Sequence, residues 1–492
     1  MPILESITGL LQAGLGSLAA YLAAHVLLCL LPAFFIAGAL SALIPKEAIT
    51  RYLGRDAPKW VSYPMSAVGG FVLAVCSCTI MPLFASIYKK GAGLGPAITF
   101  LFVGPAVNIL AITFTGAMIG MDIAIARIIL SVVFGIGIGM LMAWFFREDD
   151  RVRSEAANAG RAFSRGASVP ARTWVFFVLL LGVLIAGTLR VGLLTQSYAA
   201  VTLPGSWAGS LQAWLDGVVP PNPSMGVEGV TVHGVFLIGL LLLIAATAWL
   251  GLNDVDQGFS RWTYGALGLI TLTLLVASFN VTAVDSGLRV GLSGRFVAEV
   301  LLLGAVWWMA AQAFDVFEME QWLWEMWRFV KQIIPLLLVG VFLAGIARAV
   351  IPRRWIETLA GRNTVWANLA GVLFGVFMYF PTLVEVPIAQ TFLSLGMHRG
   401  VLLAYLLADP ELSLQSILIT NSVIGRKKPA VYVVLVTIFS TLAGLLFGGW
   451  LEGMSTWVVA AILLGSVGLL VALAAWTSGQ RQRVPATAEE AG

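Results

Sequence analysis

The chain has 492 residues, of which 59% are hydrophobic and 11% are charged, and its net charge is +4. Soluble domains carry about 25% charged residues, and a mean hydropathy of +0.93 implies more apolar surface than one globular core can bury. Composition therefore excludes a soluble or disordered protein and predicts a membrane protein. The basic residues lie in short loops between apolar runs, so they indicate topology, and we expect no nucleic-acid partner.

Apolar runs of about 20 residues, long enough to cross the hydrocarbon core of a bilayer, occur along the whole chain. Those predicted to span the membrane are 18–43, 95–115, 122–146, 173–195, 234–252, 262–281, 296–314, 333–350, 400–419, 429–451 and 455–477. Two further stretches, 61–90 and 364–397, are interrupted in the middle, and each is expected to form a re-entrant or broken-helix hairpin, with a full crossing as the alternative. The predicted fold is an all-α polytopic membrane protein with about 11 transmembrane helices and two such hairpins.

Loop charges orient these spans, because cytoplasmic loops carry an excess of Lys and Arg. The loop 147–172 contains six arginines, whereas 191–260 contains no Lys or Arg. The first loop is therefore predicted inside and the N-terminus outside, although the basic cluster at 353–362 then falls outside. No Lys or Arg precedes Lys46, so the first apolar run is expected to remain as a membrane anchor and not to be a secretory signal.

The chain carries an internal repeat. The segment 43–55 resembles 350–362 at an offset of 307 residues, and after a shift of two residues the match continues. The matched pairs are Pro82 with Pro387, Gly91 with Gly396, Gly95 with Gly400 and Pro105 with Pro410. An odd number of predicted spans separates the two copies, so the halves are predicted to be inverted. Inverted repeats with broken helices are typical of secondary transporters, whose sites lie where the halves meet.

The repeat divides the chain into five predicted segments. They are a first transmembrane repeat with a Cys-Ser-Cys hairpin (1–146), a cytoplasmic Arg-rich loop (147–172), a four-helix insert with an interfacial helix (173–332), a second repeat with a Glu385 hairpin (333–451), and a last helix and tail (452–492). Pro82, Pro105, Pro387 and Pro410 are the expected hinges. Any homo-oligomer contact is expected in the insert, at 173–314.

The first interrupted stretch contains Cys76-Ser77-Cys78-Thr79. Two thiols two positions apart offer soft sulfur ligands to a thiophilic solute. They could instead form a redox couple, or serve only as small buried side chains. Cys29, which stands alone in an apolar run, is expected to serve packing.

Polar side chains follow the other breaks. Asn108 ends the turn Gly104-Pro105-Ala106-Val107-Asn108, where it could orient a substrate or bridge two helices. In the second half, Thr382 and Ser413 are expected to line the substrate site, and Glu385, Asp409 and Glu411 to carry a proton or an ion. A carboxylate in the bilayer centre costs at least ~2.5 kcal/mol, so these acids need a proton, a cation or a basic partner. The available arginines are Arg127 and Arg348.

Other chemistry is not indicated. His25, His233 and His398 lie far apart in the sequence without metal-ligand spacing, and there is no Gly-Lys-Ser/Thr phosphate loop. We therefore expect no metal site, no cofactor, no catalytic residues and no ATP-driven transport by this chain alone.

Taken together, Cys76-Ser77-Cys78-Thr79, Pro82, Lys90-Gly91, Gly95 and the turn ending at Asn108 resemble the predicted-permease family that includes the organoarsenical efflux permeases. The resemblance covers about 18–146 and 333–451. It implies a multi-pass protein of the bacterial inner membrane with two related halves, whose characterised members export trivalent organic arsenicals. Carried over position by position, Cys76 and Cys78 would bind through their thiols, and Asn108 and Glu385 would line the site.

The expected function is therefore proton-coupled efflux of a thiol-reactive or soft solute, with a small molecule or ion as substrate and the lipid bilayer as surroundings. A membrane thiol–disulfide oxidoreductase using Cys76 and Cys78 is the alternative from another class. A channel for another small solute is a third.

Overall fold

The structure is a computed structural model in which most of the chain is described. The described residues are 2–24, 26–73, 77–107, 109–158, 169–188, 192–205, 207–219, 229–284, 287–350, 358–377, 382–463, 465 and 468. Within these ranges the protein is built from α-helices with one small sheet, in agreement with the predicted all-α class.

The first half consists of helices joined by short turns. In chain order they are α1 (Pro2–Ala24), a π-helical turn (Val26–Leu30), α2 (Leu31–Ala42), α3 (Lys46–Leu53), α4 (Lys59–Leu73), α5 (Ser77–Lys89), α6 (Leu94–Ala106), α7 (Ile109–Met118), α8 (Met121–Phe145) and α9 (Arg147–Asn158).

The insert and the second half follow. The insert contains α10 (Ala171–Thr188), α11 (Gly192–Thr195), β1 (Ser197–Pro204), α12 (Trp207–Val218), α13 (Val232–Gly251), a 3₁₀ turn (Val255–Gln257), α14 (Arg261–Ala277), β2 (Asn280–Val284), β3 (Gly287–Ser293) and α15 (Gly294–Ala313). The second half contains α16 (Val316–Val350), α17 (Val365–Phe377), α18 (Thr382–Ser394), α19 (Arg399–Leu412), α20 (Leu414–Ile424) and α21 (Lys427–Leu451).

Six described helices are long and apolar enough to cross a membrane, and two bent helix pairs raise the number to eight. The bent pairs are Gly9–Ala23 with Leu27–Ala42, at 51°, and Arg399–Leu412 with Leu414–Ile424, at 44°. The protein is thus a multi-pass membrane protein. The number is below the predicted eleven because several predicted spans are shorter or interrupted helices, and because 455–477 lies largely outside the described residues.

Helices of the first half have counterparts in the second half at a nearly constant distance along the sequence. This distance equals the separation between Gly91 and Gly396. This holds for α5 and α18, α6 and α19, α7 and α20, and α8 and α21. Two turn glycines with positive φ follow the same rule, Gly91 (97°) with Gly396 (90°), and Gly120 (141°) with Gly425 (84°). These turns need glycine because a side chain disfavours positive φ.

The halves pack against each other through matched elements. In the first half α6 lies between α4 and α8, and in the second half α19 lies between α17 and α21. Between the halves α6 contacts α19 and α8 contacts α21, while α5 contacts α20 and α7 contacts α18. Positions on α7, α8, α18 and α19 therefore meet at the centre of the molecule.

Two segments differ from expectation. The predicted loop 147–172 begins as helix α9, in which buried Asp150 accepts hydrogen bonds from the backbone N–H of Leu94 (3.2 and 3.3 Å). The expected interfacial helix is instead the first part of α16, a single helix of 35 residues. Its Trp322 and Trp327 are each 6% exposed, because the aromatic rings pack inward; the indole of Trp322 donates to the carbonyl of Phe35 (2.9 Å).

The insert contains four long helices, α10, α13, α14 and α15. It also contains a sheet that is not predicted from the sequence. The three strands are antiparallel in the order β1-β3-β2. Strand β1 is exposed along its whole length, so it lacks the alternation of apolar and polar burial from which strands are usually recognised.

Candidate functional site

A buried ion pair joins the two halves at the centre of the molecule. Nη2 of Arg127, on α8, lies 3.1 Å from Oε1 and 3.2 Å from Oε2 of Glu385, on α18. The side chains are 0% and 1% exposed. Because the two residues are 258 positions apart, the pair holds the second hairpin against the first half.

Arg127 is held by the first half as well. Its Nε donates to the carbonyl of Ala106 (2.8 Å), at the last residue of α6, and its Nη1 donates to the hydroxyl of Thr115 on α7 (3.4 Å). The chain leaves the helix after Ala106, where carbonyl groups have no helical donor. The guanidinium therefore satisfies this helix end and directs its remaining donors at Glu385.

A second buried acid lies beside this pair. The phenol of Tyr432, on α21, donates to Oε2 of Glu411, on α19 (2.9 Å). Glu411 is 1% exposed and interacts electrostatically with both Arg127 and Glu385. Its other oxygen, Oε1, has no hydrogen-bond partner among the described residues.

The two hydrogen-bonded contacts occupy matched positions in the repeat. Arg127 is separated from Tyr432 by the same offset as Gly91 from Gly396, and so is Ala106 from Glu411. The first half therefore has a cation and a backbone carbonyl where the second half has a phenol and a carboxyl. The site is consequently asymmetric, and its acids come from the second half.

The remaining polar residues predicted for the second half are not all brought to this cluster. Asp409 is fully buried, but it is two positions from Glu411 and so faces another side of α19. Its backbone lies against Gly375 of α17. Ser413 caps α20, accepting from the N–H of Ser416 (3.3 Å). Thr382 begins α18, and its side chain lies outside the described residues.

Much of the cysteine motif lies outside the described residues. Cys76 and Asn108 lie outside the described residues, and so do the side chains of Ser77 and Cys78, which begin α5. Thr79, in the first turn of α5, is 0% exposed. These substrate-binding assignments remain predictions.

Cys29 differs from expectation because it is disulfide-bonded and not simply a packing residue. It lies in the π-helical turn and is 7% exposed.

The four predicted hinge prolines lie within helices. Pro105 and Pro410 come shortly before the ends of α6 and α19, and each is followed by a short break. Pro82 and Pro387 lie inside α5 and α18. There the missing N–H removes the α-helical donor of the carbonyl four residues earlier. Their role as hinges remains a prediction.

Among the described residues no group of three or more His, Cys, Asp and Glu could hold a metal ion. One guanidinium and two neighbouring carboxyl groups can bind and release protons or attract an ion. From the sequence, Arg127 is predicted only as an available partner and Tyr432 is not predicted, although the repeat offset links the two positions.

Comparison with known proteins gives consistent results. A family model described as predicted permease matches residues 12–449. The chain is 32% identical to UPF0718 protein MJ0584 of Methanocaldococcus jannaschii over 449 residues, 91% of this chain and 98% of that protein. It is 24% identical to UPF0718 protein YraQ of Escherichia coli K12 over 178 residues, 34% of this chain and 50% of that protein. No solved structure matches the chain.

Proposed function

The chain belongs to the predicted permease family, and from that premise we propose that it is a proton-coupled secondary transporter of the bacterial inner membrane. The observation that carries this proposal is the buried pair of Arg127 and Glu385 with Glu411 beside it, at the meeting of the two halves. Transporters built from repeats bind their substrate and coupling ion at such an interface.

The proposed architecture is two inverted repeats, and the matched helix bounds support the repeat itself. The other described ion pairs support the same arrangement, because each joins two positions that loop charges predict on the same side of the membrane. On the predicted cytoplasmic side they include Lys428–Asp149 and Arg172–Glu318, and on the other side Arg399–Asp122 and His398–Glu452.

Charge balance supports proton binding at the cluster. A buried charge is tolerated when it is paired, and a guanidinium compensates one carboxylate. With Glu385 paired to Arg127, the second acid, Glu411, carries a proton. When Glu385 takes a proton instead, Arg127 can turn to Glu411. The cluster then changes its contacts between the halves without holding an unpaired charge.

The proposed substrate is a thiol-reactive or soft solute such as a trivalent organoarsenical. The support is the Cys76-Ser77-Cys78 motif and its resemblance to organoarsenical permeases. Thiols release protons when they bind a soft ion, and an acid cluster can receive protons released in this way. This chemistry supports exchange of the solute for protons, and the resemblance to efflux permeases supports the outward direction.

The proposal is tested in everted membrane vesicles with trivalent methylated arsenic as the probe, with and without a proton gradient. Vesicles are kept reduced, because Cys29 is disulfide-bonded and capture of arsenic needs free thiols. We expect gradient-dependent accumulation that is lost in Glu385→Gln and in a Cys76→Ser, Cys78→Ser double variant. Glu148→Gln, in an exposed pair with Arg151, is the control. Undiminished gradient-driven accumulation in Glu385→Gln would contradict proton coupling at this residue.

One observation favours a second function. The Cys29 disulfide is consistent with a membrane thiol–disulfide oxidoreductase, since a buried disulfide and a third cysteine can exchange through a mixed disulfide. The expected signature is turnover of a small dithiol substrate by purified protein in lipid, abolished by Cys29→Ser. Accumulation of arsenic without such turnover would favour the transporter.

A further inference from the structure

Glu299 is a buried acid that lies away from the Arg127 cluster. It is on α15 of the insert and is 0% exposed. Neither carboxyl oxygen has a hydrogen-bond partner among the described residues. A buried, unpaired carboxylate is costly, so this position requires a specific explanation.

The carboxyl group faces the π-helical turn of the first broken span. A Cβ placed on Gly187 of α10 would lie 3.2 Å from Oε1 of Glu299 and 2.9 Å from the carbonyl oxygen of Leu28. The two oxygens therefore converge on one small space that the absence of a side chain at Gly187 leaves open.

The carbonyl of Leu28 lacks its usual donor. In an α-helix it would accept from the N–H of residue 32, but that residue is proline and has no N–H. The backbone has a π-helical turn at this point, and such turns are frequent at functional sites. A carbonyl oxygen and a carboxyl oxygen are both acceptors, so a hydrogen must lie between them for a favourable contact.

We propose that Glu299 is a proton-binding site that the insert supplies to the first broken span. In its protonated form the carboxyl group donates to the carbonyl of Leu28 and fastens α15 to the π-helical turn. Loss of the proton leaves two acceptors facing each other, and the contact between the insert and the span loosens. The insert then takes part in the conformational cycle.

An apolar cavity of about 290 Å³ borders this contact. Three of its lining residues each lie one helical turn along the chain from a residue of the contact. They are Leu303 after Glu299, Pro32 after Leu28, and Val183 before Gly187. The contact therefore lies about one helical turn beyond this side of the cavity. None of the described residues that line the cavity is charged, so they offer no counter-ion to an ionised Glu299.

The described elements that pack against α15 carry few charged groups that could compete for the proton of Glu299. On α15 itself Arg295 lies one turn before Glu299 and interacts with it electrostatically. Strand β3 carries Arg289, and α14 carries Arg261 and Tyr264 at its first turn; α10 carries Arg172 at its opposite end. None of these described groups forms a hydrogen bond with the carboxyl of Glu299. The carbonyl oxygen of Leu28, which lies beside Oε1 of Glu299 at Gly187, is the proposed acceptor for its proton.

The test uses the full chain in lipid and infrared difference spectroscopy. Besides the band of protonated Glu411, we expect the wild-type protein to show a second protonated-carboxyl carbonyl band. This second band should disappear as pH rises, be absent from Glu299→Gln and be shifted in Glu299→Asp. Glu148→Gln is the control and keeps the band. A spectrum unchanged in Glu299→Gln would overturn the proposal. So would a wild-type band that Glu299→Gln removes but that does not respond to pH.

A second measurement needs no variant. Hydrogen exchange of the segment 26–33 in the wild-type protein, corrected for the chemical effect of pH, should accelerate severalfold as the carboxyl band disappears. Helix α8 is the internal reference and should not change. Equal behaviour of both segments would overturn the proposed fastening, whether or not either variant folds.

Discussion

At the residue scale the ion pair between Arg127 and Glu385 is a fully buried link between the halves. Removing Arg127 leaves the buried carboxylate of Glu385 unpaired, which costs about 3–5 kcal/mol, whereas Glu385→Gln loses the ion pair but leaves Arg127 beside Glu411. We expect Arg127→Gln and Glu385→Gln each to lower the unfolding temperature in detergent, and the double variant to lose much less than the sum of both. Additive losses in this double-mutant cycle would contradict a direct interaction.

Tyr432 is the other residue whose role can be isolated. Tyr432→Phe removes the hydroxyl that bonds Glu411 (2.9 Å) and leaves that carboxyl without its described donor. A buried group that loses its partner costs about 1–3 kcal/mol, so we expect a lower unfolding temperature and a changed pH profile of transport. Tyr264→Phe, at a residue that is 58% exposed, is the matched control. Equal effects of both variants would show that the hydrogen bond does not matter.

The sequence alone predicts Glu385 as a central acid, because a carboxylate in an apolar hairpin needs compensation. It cannot choose between Arg127 and Arg348 as the partner, since that choice depends on which helices meet across 258 residues. Tyr432 and Glu299 lie in apolar helices without a motif. Their roles follow from packing, which brings a phenol to Glu411 and a carboxyl to the π-helical turn.

At the element scale, α6 and α8 cross at glycines, and so do their repeat counterparts α19 and α21. A Cβ on Gly139 of α8 would lie 2.6 Å from the carbonyl oxygen of Gly95, and a Cβ on Gly444 of α21 would lie 2.6 Å from that of Gly400. The second pair of glycines is the repeat counterpart of the first. Small residues let membrane helices approach closely, so each half uses the same crossing to position its broken helix.

These crossings give a prediction. Gly139→Ala and Gly444→Ala should each destabilise the protein by about 1–3 kcal/mol, because backbone must move to admit the methyl group. Gly239→Ala on α13 is the control, since a Cβ there would meet nothing within 4 Å. Thermal unfolding in detergent gives the comparison. A loss at Gly239 as large as at Gly444 would rule out the close crossing as the cause.

Prolines and glycines predict where the elements break, but not how. The repeated turns at Gly91 and Gly396 follow directly from positive φ. In helix α16 a proline does not mark a break. The charged first part of this helix predicts a separate interfacial helix, but the helix continues through Pro335. Burial of Trp322 and Trp327 against neighbouring helices decides this outcome, and local sequence does not contain that information.

At the scale of the whole molecule the proposed inversion places matched turns on opposite sides of the membrane. Lys89 ends α5 and its repeat counterpart Ser394 ends α18, and both are exposed. If the halves are inverted, Lys89→Cys should react with a membrane-impermeant maleimide only in everted vesicles, and Ser394→Cys only in intact spheroplasts. The three native cysteines are first replaced by serine. Labelling of both positions from one side would contradict inversion and indicate a parallel repeat, in which matched breaks could not face each other across the membrane midplane.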